Sequence, residues 1–415
     1  MPDSPRRRPL FVLLGASAIS QAGNSFAALA IPWYVLETTG SAARTGIVAF
    51  AGLVPMVLAS FFGGAVVDRL GFKRASILSD LASGLTVAAI PLLAITTGLQ
   101  FWQLLLLTFL GALLDTPGMT ARLSLTPDLA KLAAMPLERM NALSHTISGS
   151  VNLLGPILAG VLVVAVGPRD VLWLDAASFA ISAGLVAVAV PSPRRERGEG
   201  AARPVDLLGG LRYLLADRLV LAIGLTATVV NFLTAPLFSV ILPVYARASF
   251  GTATALGLLI GAFGGGTIAG SVLYGVAAPR LPRRATLIAG FVLLGLPLFL
   301  LAVEPHLGAA LLALVISGAG AGLINPLAIT VLHERIPETI RGRVFGAFMA
   351  AVMVASPLGV LLGGFLTETI GVRALLAGIS AAVVLVALSM LANPALRELD
   401  GAAGNGGITP EPEAD

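Results

Sequence analysis

The chain has no cysteine in 415 residues, so neither a disulfide nor a thiolate metal site is possible. Its three histidines, His145, His306 and His333, are scattered and make no ligand spacing. Charge is scarce as well: 12% of residues are charged, against about a quarter in a soluble domain. So little charge cannot give a chain of this length a polar surface in water. Three tryptophans and four tyrosines leave few rings on which a sugar could stack. The glycine runs at 261–266 and 318–322 lack the following Lys-Ser/Thr of a phosphate loop; small residues in such stripes let helices cross closely. No Ser-His-Asp, metal or paired-carboxylate set gathers in the loops. The reading is of a chain with no catalytic residues, no metal and no cofactor.

What the chain has is apolar length. Hydrophobic residues make up 57% of it, and mean hydropathy is +0.93. In lipid, backbone polar groups are satisfied only by helices or a closed barrel. Barrel strands are about 10 residues long and alternate polar with apolar; the runs here are longer and do not alternate. A helix needs about 20 apolar residues to span a bilayer. Twelve such runs occur, near 10–36, 45–67, 75–97, 101–125, 141–165, 170–190, 219–246, 254–278, 285–303, 307–332, 344–368 and 371–392. The fourth and tenth are interrupted by Asp115-Thr116-Pro117 and Asn325-Pro326. Proline frees a carbonyl, so a break or bend is expected at Pro117. The fold class is an all-α membrane protein of twelve transmembrane helices.

Orientation follows from the basic residues. If the N-terminus, the even-to-odd loops and the C-terminus share one side, that side holds all 26 lysines and arginines except Arg44, Arg169, Arg247 and Arg373. Both termini are expected in the cytoplasm. The pI near 9.9 then reflects charge at the inner membrane face, not nucleic-acid binding. Arg6-Arg7-Arg8 opens an uncleaved first helix, because the apolar run lasts to Leu36 and more runs follow. The one long hydrophilic stretch is 191–218, in which 206–215 has apolar residues at helical spacing and reads as a surface helix. The tail, 394–415, is Gly-rich and acidic, hence expected to be disordered. The divisions are a six-helix half over 1–190, the linker 191–218, a second half over 219–393, and the tail.

The halves repeat. Ile31-Pro32-Trp33-Tyr34 pairs with Leu242-Pro243-Val244-Tyr245, Gly64 with Gly275, Pro117 with Pro326, and Gly155, Gly160 and Gly167 with Gly359, Gly364 and Gly371. The order is kept and the offset drifts little. Parallel repeats are a transporter plan with the pathway between them near mid-membrane.

The sharpest motif is Gly64-Ala65-Val66-Val67-Asp68-Arg69-Leu70-Gly71-Phe72-Lys73-Arg74. A positive-inside turn needs only the bases; it does not require Asp68 or glycines at this spacing. The stretch resembles the loop after the second helix in the major facilitator superfamily. That resemblance implies a latch closing the cytoplasmic ends, built from Gly64, Asp68, Arg69, Gly71, Lys73 and Arg74. The counterpart in the second half has Pro279 in place of the acid but keeps Arg280, Arg283 and Arg284. Ser20 to Asn24, Ala30 to Leu36, Thr39-Gly40-Ser41, Asp175-Ala176-Ala177-Ser178-Phe179 and Gly210 to Leu214 resemble the branch holding enterobactin exporters and macrolide efflux proteins. This implies export of lipophilic small molecules, usually coupled to proton entry. Two features depart from drug–proton antiporters of the family. The fourth helix has no charge between Leu107 and Gly111, and Val151 stands where a glycine would in the fifth.

Polar residues at membrane depth are costly and face a cavity or a partner. Asp115 is the deepest acid. It contacts a proton or a cationic group on the pathway, or it caps a broken helix or pairs with Arg122. Asp80 and Asp175 lie nearer helix ends, where water-exposed caps are the plainer reading; with Asp115 they form the set of coupling candidates. Gln21, Asn24, Asp115, Asn231 and Asn325 fall in the first helix of each three-helix unit, and the resemblance implies that those helices line the cavity. The bland alternative is interhelical glue worth about 0.6 kcal/mol per contact. The resulting expectation is a monomeric, multi-pass transporter of a bacterial inner membrane. It would export an amphipathic small molecule, with protons and the bilayer as its other partners. Solute uptake, or a transporter-fold scaffold or sensor without turnover, are the alternatives.

Overall fold

The computed structural model describes residues 7–191, 207–303 and 306–401, leaving aside the side chains of 59–66, 68, 207, 208, 400 and 401. All regular structure among the described residues is helical. In chain order the helices are α1 (Arg8–Thr39), α2 (Ala42–Leu70), α3 (Phe72–Thr96), α4 (Phe101–Leu132), α5 (Leu137–Val166), α6 (Pro168–Ala189), α7 (Leu207–Ala216) and α8 (Arg218–Pro236). After a π-helical turn (Leu237–Ile241) come α9 (Leu242–Ser249), α10 (Ala253–Ala277), α11 (Arg283–Gly295), α12 (Leu298–Ala302), α13 (Leu307–Arg335), α14 (Arg341–Ile370), α15 (Val372–Ala392) and the single turn α16 (Glu398–Gly401). Among the described residues, eleven helical segments are long and apolar enough to cross a membrane, and α2 carries the shorter apolar stretch Ala42–Leu58.

The tight connections explain several glycines. Single residues with positive φ join consecutive helices: Gly71 (φ 80°) between α2 and α3, Gly167 (φ 92°) between α5 and α6, and Gly371 (φ 85°) between α14 and α15. A side chain at such φ values is strained, which is why glycine ends these helices. The charged stretch is therefore less of a loop than the sequence suggests. Helix α2 runs through Leu70, and α3 starts one residue later.

The proline expectations need correction. Helix α4 continues unbroken through Asp115-Thr116-Pro117, and α13 through Asn325-Pro326. Nearby threonines bond back to the preceding turn: Thr116 Oγ1 donates to the Ala112 carbonyl at 3.0 Å and Thr120 Oγ1 to the Thr116 carbonyl at 3.0 Å. Hydroxyls of this kind help a membrane helix tolerate proline. The interruptions fall elsewhere, at the π-turn after Pro236 and between α11 and α12 at Pro297.

By contact, the described chain divides into two compact units. The first comprises Met1–Ala201, Thr234–Ala262 and Ser356–Leu375. In it α1 packs on α5 and α6, α3 on α4 and α6, and α2 on α4. Gly23 of α1 allows the closest of these approaches, since a Cβ there would collide with Ser178 and Asp175 of α6. The unit also contains two helix crossings made by glycine. At the crossing of α2 and α14, a Cβ on Gly46 would lie 2.9 Å from Gly364 Cα, and one on Gly364 would lie 2.9 Å from the Ala42 carbonyl oxygen. At the crossing of α5 and α10, a Cβ on Gly160 would lie 2.5 Å from the Ala253 carbonyl oxygen.

The second unit comprises Ala202–Leu233, Phe263–Ala355 and Leu376–Asp415. Here α11 packs on α13. The expected surface helix is present as α7: Leu214 is buried, and Tyr213 Oη donates to the Arg335 carbonyl at 3.1 Å. Arg335 reaches Asp217 at 2.7 Å and Glu398 at 3.0 Å. Burial pushes the Asp217 carboxyl up, but hydrogen bonds from Arg335 and from the Leu219 and Val220 N–H groups outweigh it and hold the carboxyl below its usual range. Those N–H bonds cap the start of α8. The tail begins helical, at Pro394–Arg397 and α16, where an irregular tail was expected; its remainder lies outside the described residues.

Candidate functional site

Helices α1, α3, α4 and α6 each bring one or more polar side chains to a common buried region of the first unit. Asp115, midway along α4, is half-buried. Asn24 of α1 donates from Nδ2 to Asp115 Oδ2 at 3.0 Å. The other oxygen, Oδ1, is buried without a hydrogen-bond partner among the described residues and lies 3.8 Å from Arg122 Nη2. Arg122 stands two helical turns further along α4, so both side chains project from a similar face.

Arg122 has a nearer partner. Its Nη1 meets Asp80 Oδ1 of α3 at 2.6 Å, and Ser182 of α6 donates its hydroxyl to Asp80 Oδ2 at 2.7 Å. Asp80 is 0% exposed and Arg122 6%. A buried pair is paid for by desolvation, and removing one partner costs about 3–5 kcal/mol because the other charge is left stranded. The reading of Asp80 as a water-exposed cap is thus corrected: it is a fully buried counter-ion. Asp175 is likewise 0% exposed rather than at a wet helix end. Its Oδ1 receives the Ser178 hydroxyl at 3.5 Å, while Oδ2 has no hydrogen-bond partner among the described residues.

A cavity of about 90 Å³ opens between α1, α4 and α5. Gln21, Asn24, Asp115, Met119, Arg122 and Ile147 are among its walls. A water occupies about 30 Å³ of liquid volume, and drug-sized ligands need about 300–1,000 Å³. The cavity therefore fits a few waters or one polar head group. Of the expected pathway residues, Gln21, Asn24 and Asp115 meet here. Asn231 belongs to the second unit and donates to the Val352 carbonyl at 2.8 Å. Asn325 is an exposed residue of the same unit.

In the charged motif, Arg69 and Arg74 are exposed. Lys73 donates to the Ala187 carbonyl at 2.8 Å, the last turn of α6, where a cation also meets the negative end of the helix dipole. The side chain of Asp68 lies outside the described residues. In the second unit Arg284 makes the same kind of contact, donating to the Met390 and Leu391 carbonyls at 3.3 and 2.7 Å at the end of α15.

Two features went unseen in the sequence as parts of a site. Ser182 carried no signal, because a serine in an apolar helix is common. Glu368 did carry one, as an acid at the end of an apolar run. It accepts the Ser41 hydroxyl at 2.5 Å and the Ala43 N–H at 2.8 Å, so α14 caps the N-terminus of α2.

Comparison with known proteins gives this architecture a family. A sequence model of the Major Facilitator Superfamily matches residues 13–251 and 224–406. The multidrug efflux pump Tap of Mycobacterium tuberculosis (strain ATCC 25618 / H37Rv) is 33% identical over 401 residues, covering 95% of each chain. Macrolide efflux protein A of Streptococcus pyogenes is 22% identical over 372 residues, 88% of this chain and 90% of that protein, in keeping with the branch resemblance. Among solved structures, the nucleoside transporter NupG superposes with a TM-score of 0.76 at 14% identity, over 92% of this chain and 98% of the other. The chain belongs to the major facilitator superfamily and is a multi-pass membrane transporter, not an enzyme.

Proposed function

We propose that the protein exports amphipathic small molecules across a bacterial inner membrane, by alternating access and at the expense of proton entry. The observation that carries this reading is the Asp115–Asn24 pair on the wall of a small cavity between α1, α4 and α5. An ionisable group at that depth is costly and is retained for a proton, an ion or cargo. Similarity to the efflux pump Tap along nearly the whole chain favours export over uptake.

In this reading twelve helices cross the membrane in two six-helix halves, with both termini in the cytoplasm. The cavity wall sets Leu14, Met119, Leu123 and Ile147 beside Gln21, Asn24, Asp115 and Arg122, which suits a cargo with an apolar part and one polar or cationic head. Gln21, Asn24 and Asp115 serve the pathway from the first half, and Asn231 and Asn325 from the second. Asp115 and Asp175 remain the coupling candidates. Asp80, neutralised by Arg122, has a supporting part. The motif from Gly64 to Arg74 latches the cytoplasmic ends, with Lys73 also capping α6. The unit of transport is the monomer.

Purified protein in proteoliposomes, given the amphipathic cation ethidium with and without an imposed pH gradient, tests the reading. Ethidium movement that follows the gradient and collapses with a protonophore is the expected result. Movement indifferent to the gradient removes proton coupling, and no movement of any amphipathic probe removes export.

A further inference from the structure

We infer that Asp80 and Ser182 act as positioning residues: they hold Arg122 back from Asp115, and so keep one carboxylate oxygen of the site available. This rests on the reading of Asp115 as the group that meets a proton or cargo.

The inference comes from a guanidinium shared unequally by two acids. Arg122 reaches Asp80 at 2.6 Å but Asp115 only at 3.8 Å. The first is a charge-assisted hydrogen bond; the second is too long for one. Asp80 is itself fixed, since Ser182 donates to its second oxygen at 2.7 Å. With both oxygens engaged and no exposure, Asp80 is a rigid anchor. Asp115 differs. Only its Oδ2 is engaged, by the neutral Asn24, and Oδ1 has no hydrogen-bond partner among the described residues. Asp115 and Arg122 both line the cavity, whereas Asp80 and Ser182 are not among its lining residues. The anchor thus sits behind the wall and sets what the wall presents.

The charges facing this region can be followed helix by helix. Helix α4 contributes Asp115 and Arg122, α3 contributes Asp80, and α6 contributes Asp175, which lies close enough to Asp115 to interact with it electrostatically. Helix α1 contributes the neutral Asn24 and Gln21, and α5 the neutral Ser144 and Ser148. Among the described residues, the one cation, Arg122, is therefore shared by two acids, with a third, Asp175, beside Asp115. If Asp80 took no part, Arg122 would settle on Asp115, closing the gap to hydrogen-bond distance and filling the place that a proton or a cargo cation would take. The anchor accordingly acts on the affinity of the site for cations and leaves the contact of neutral cargo with Leu14, Met119, Leu123 and Ile147 unaffected.

The test reads the state of Asp115 directly and does not depend on knowing the cargo. Dicyclohexylcarbodiimide reacts with protonated carboxyls in apolar surroundings, and its adduct on Asp115 is quantified by mass spectrometry on purified, monodisperse protein. Asp80→Asn frees Arg122 to pair with Asp115, so labelling of Asp115 falls severalfold against wild type. In Asp80→Asn/Arg122→Gln both charges are gone, and labelling returns to the wild-type level or above it. Ser182→Ala, which changes no charge, lowers labelling in the same direction by less. Equal labelling of Asp115 in wild type and folded Asp80→Asn overturns the inference. If Asp80→Asn does not fold, Ser182→Ala and the double variant decide it: unchanged labelling in the first, or labelling below wild type in the second, overturns it. Transport of ethidium by Asp115→Asn is measured in parallel. Unaltered transport there removes the underlying reading of Asp115, while the labelling pattern still reports where Arg122 sits, so the two failures are separable.

Discussion

At the scale of single residues, Asp115 is the group on which the proposed function turns. Asp115→Asn keeps the size of the side chain and its hydrogen bond to Asn24 but removes titration. A hydrogen bond to a charged group is worth about 1.5–3 kcal/mol, so loss of a cargo contact should weaken transport about tenfold or more. If Asp115 carries the proton, gradient-driven transport falls and exchange of cargo down its own gradient persists. If it binds a cationic head, both fall and neutral cargo is spared. Unchanged kinetics across pH would leave the carboxylate a structural role only. The sequence singled out Asp115 because an acid in the middle of an apolar run has few innocent explanations. It misplaced Asp80 and Asp175, because distance along a helix does not report which face a residue is on. Both are 0% exposed. Spacing alone offers Arg122 as one alternative partner for Asp115, and the nearer partner on α3 is invisible in the sequence, since pairing across helices is settled by packing.

At the scale of elements, most of the apolar runs were legible to within a few residues, though α4 runs seven residues past its expected end, because lipid demands length and hydropathy reports it directly. The irregularities were not. Pro117 and Pro326 sit in continuous helices, while a π-turn widens the helix after Pro236 and a gap at Pro297 separates α11 from α12. Proline only frees backbone groups, and whether neighbours satisfy them is a tertiary matter. The glycine crossings carry their own prediction. A Cβ on Gly160 or Gly364 meets backbone oxygen on a neighbouring helix, whereas nothing lies within 4 Å of one on Gly184. Gly160→Ala and Gly364→Ala should lower the melting temperature of purified protein, with a cost of about 1–3 kcal/mol from overpacking. Gly184→Ala should be neutral or stabilising, since alanine is the better helix former by about 1 kcal/mol. Three equal shifts would reject the crossing argument. Glu368 closes one crossing further by capping α2. Glu368→Gln retains an acceptor but loses the charge that favours the helix N-terminus. It should therefore ease separation of α14 from α2, measured as faster reaction with a membrane-impermeant thiol reagent of a cysteine placed at the buried Ala43, which keeps the N–H that Glu368 accepts. A rate equal to that of the same cysteine with Glu368 intact would remove the capping argument.

At the scale of the whole molecule, several positions that the sequence pairs have similar local surroundings. Gly167 and Gly371 both end helices at positive φ. Gly160 meets the start of α10 as Gly364 meets the start of α2. Lys73 caps α6 and Arg284 caps α15. The second charged stretch has bases and Pro279 where the first has Asp68; the basic end has a capping task that needs no carboxylate. The acid is then free to have a separate task in the first stretch alone, and topology does not need it, since acidic residues count little toward orientation. Asp68→Asn should therefore insert normally, with reporter fusions at Gly198 and after Arg397 still giving a cytoplasmic signal, yet transport should be crippled. Substituting Pro279, its counterpart, should cost much less. A periplasmic signal from either fusion in wild type refutes the orientation drawn from the basic residues. Full transport by Asp68→Asn at normal expression refutes the latch while leaving the orientation standing, because the bases that set it are untouched.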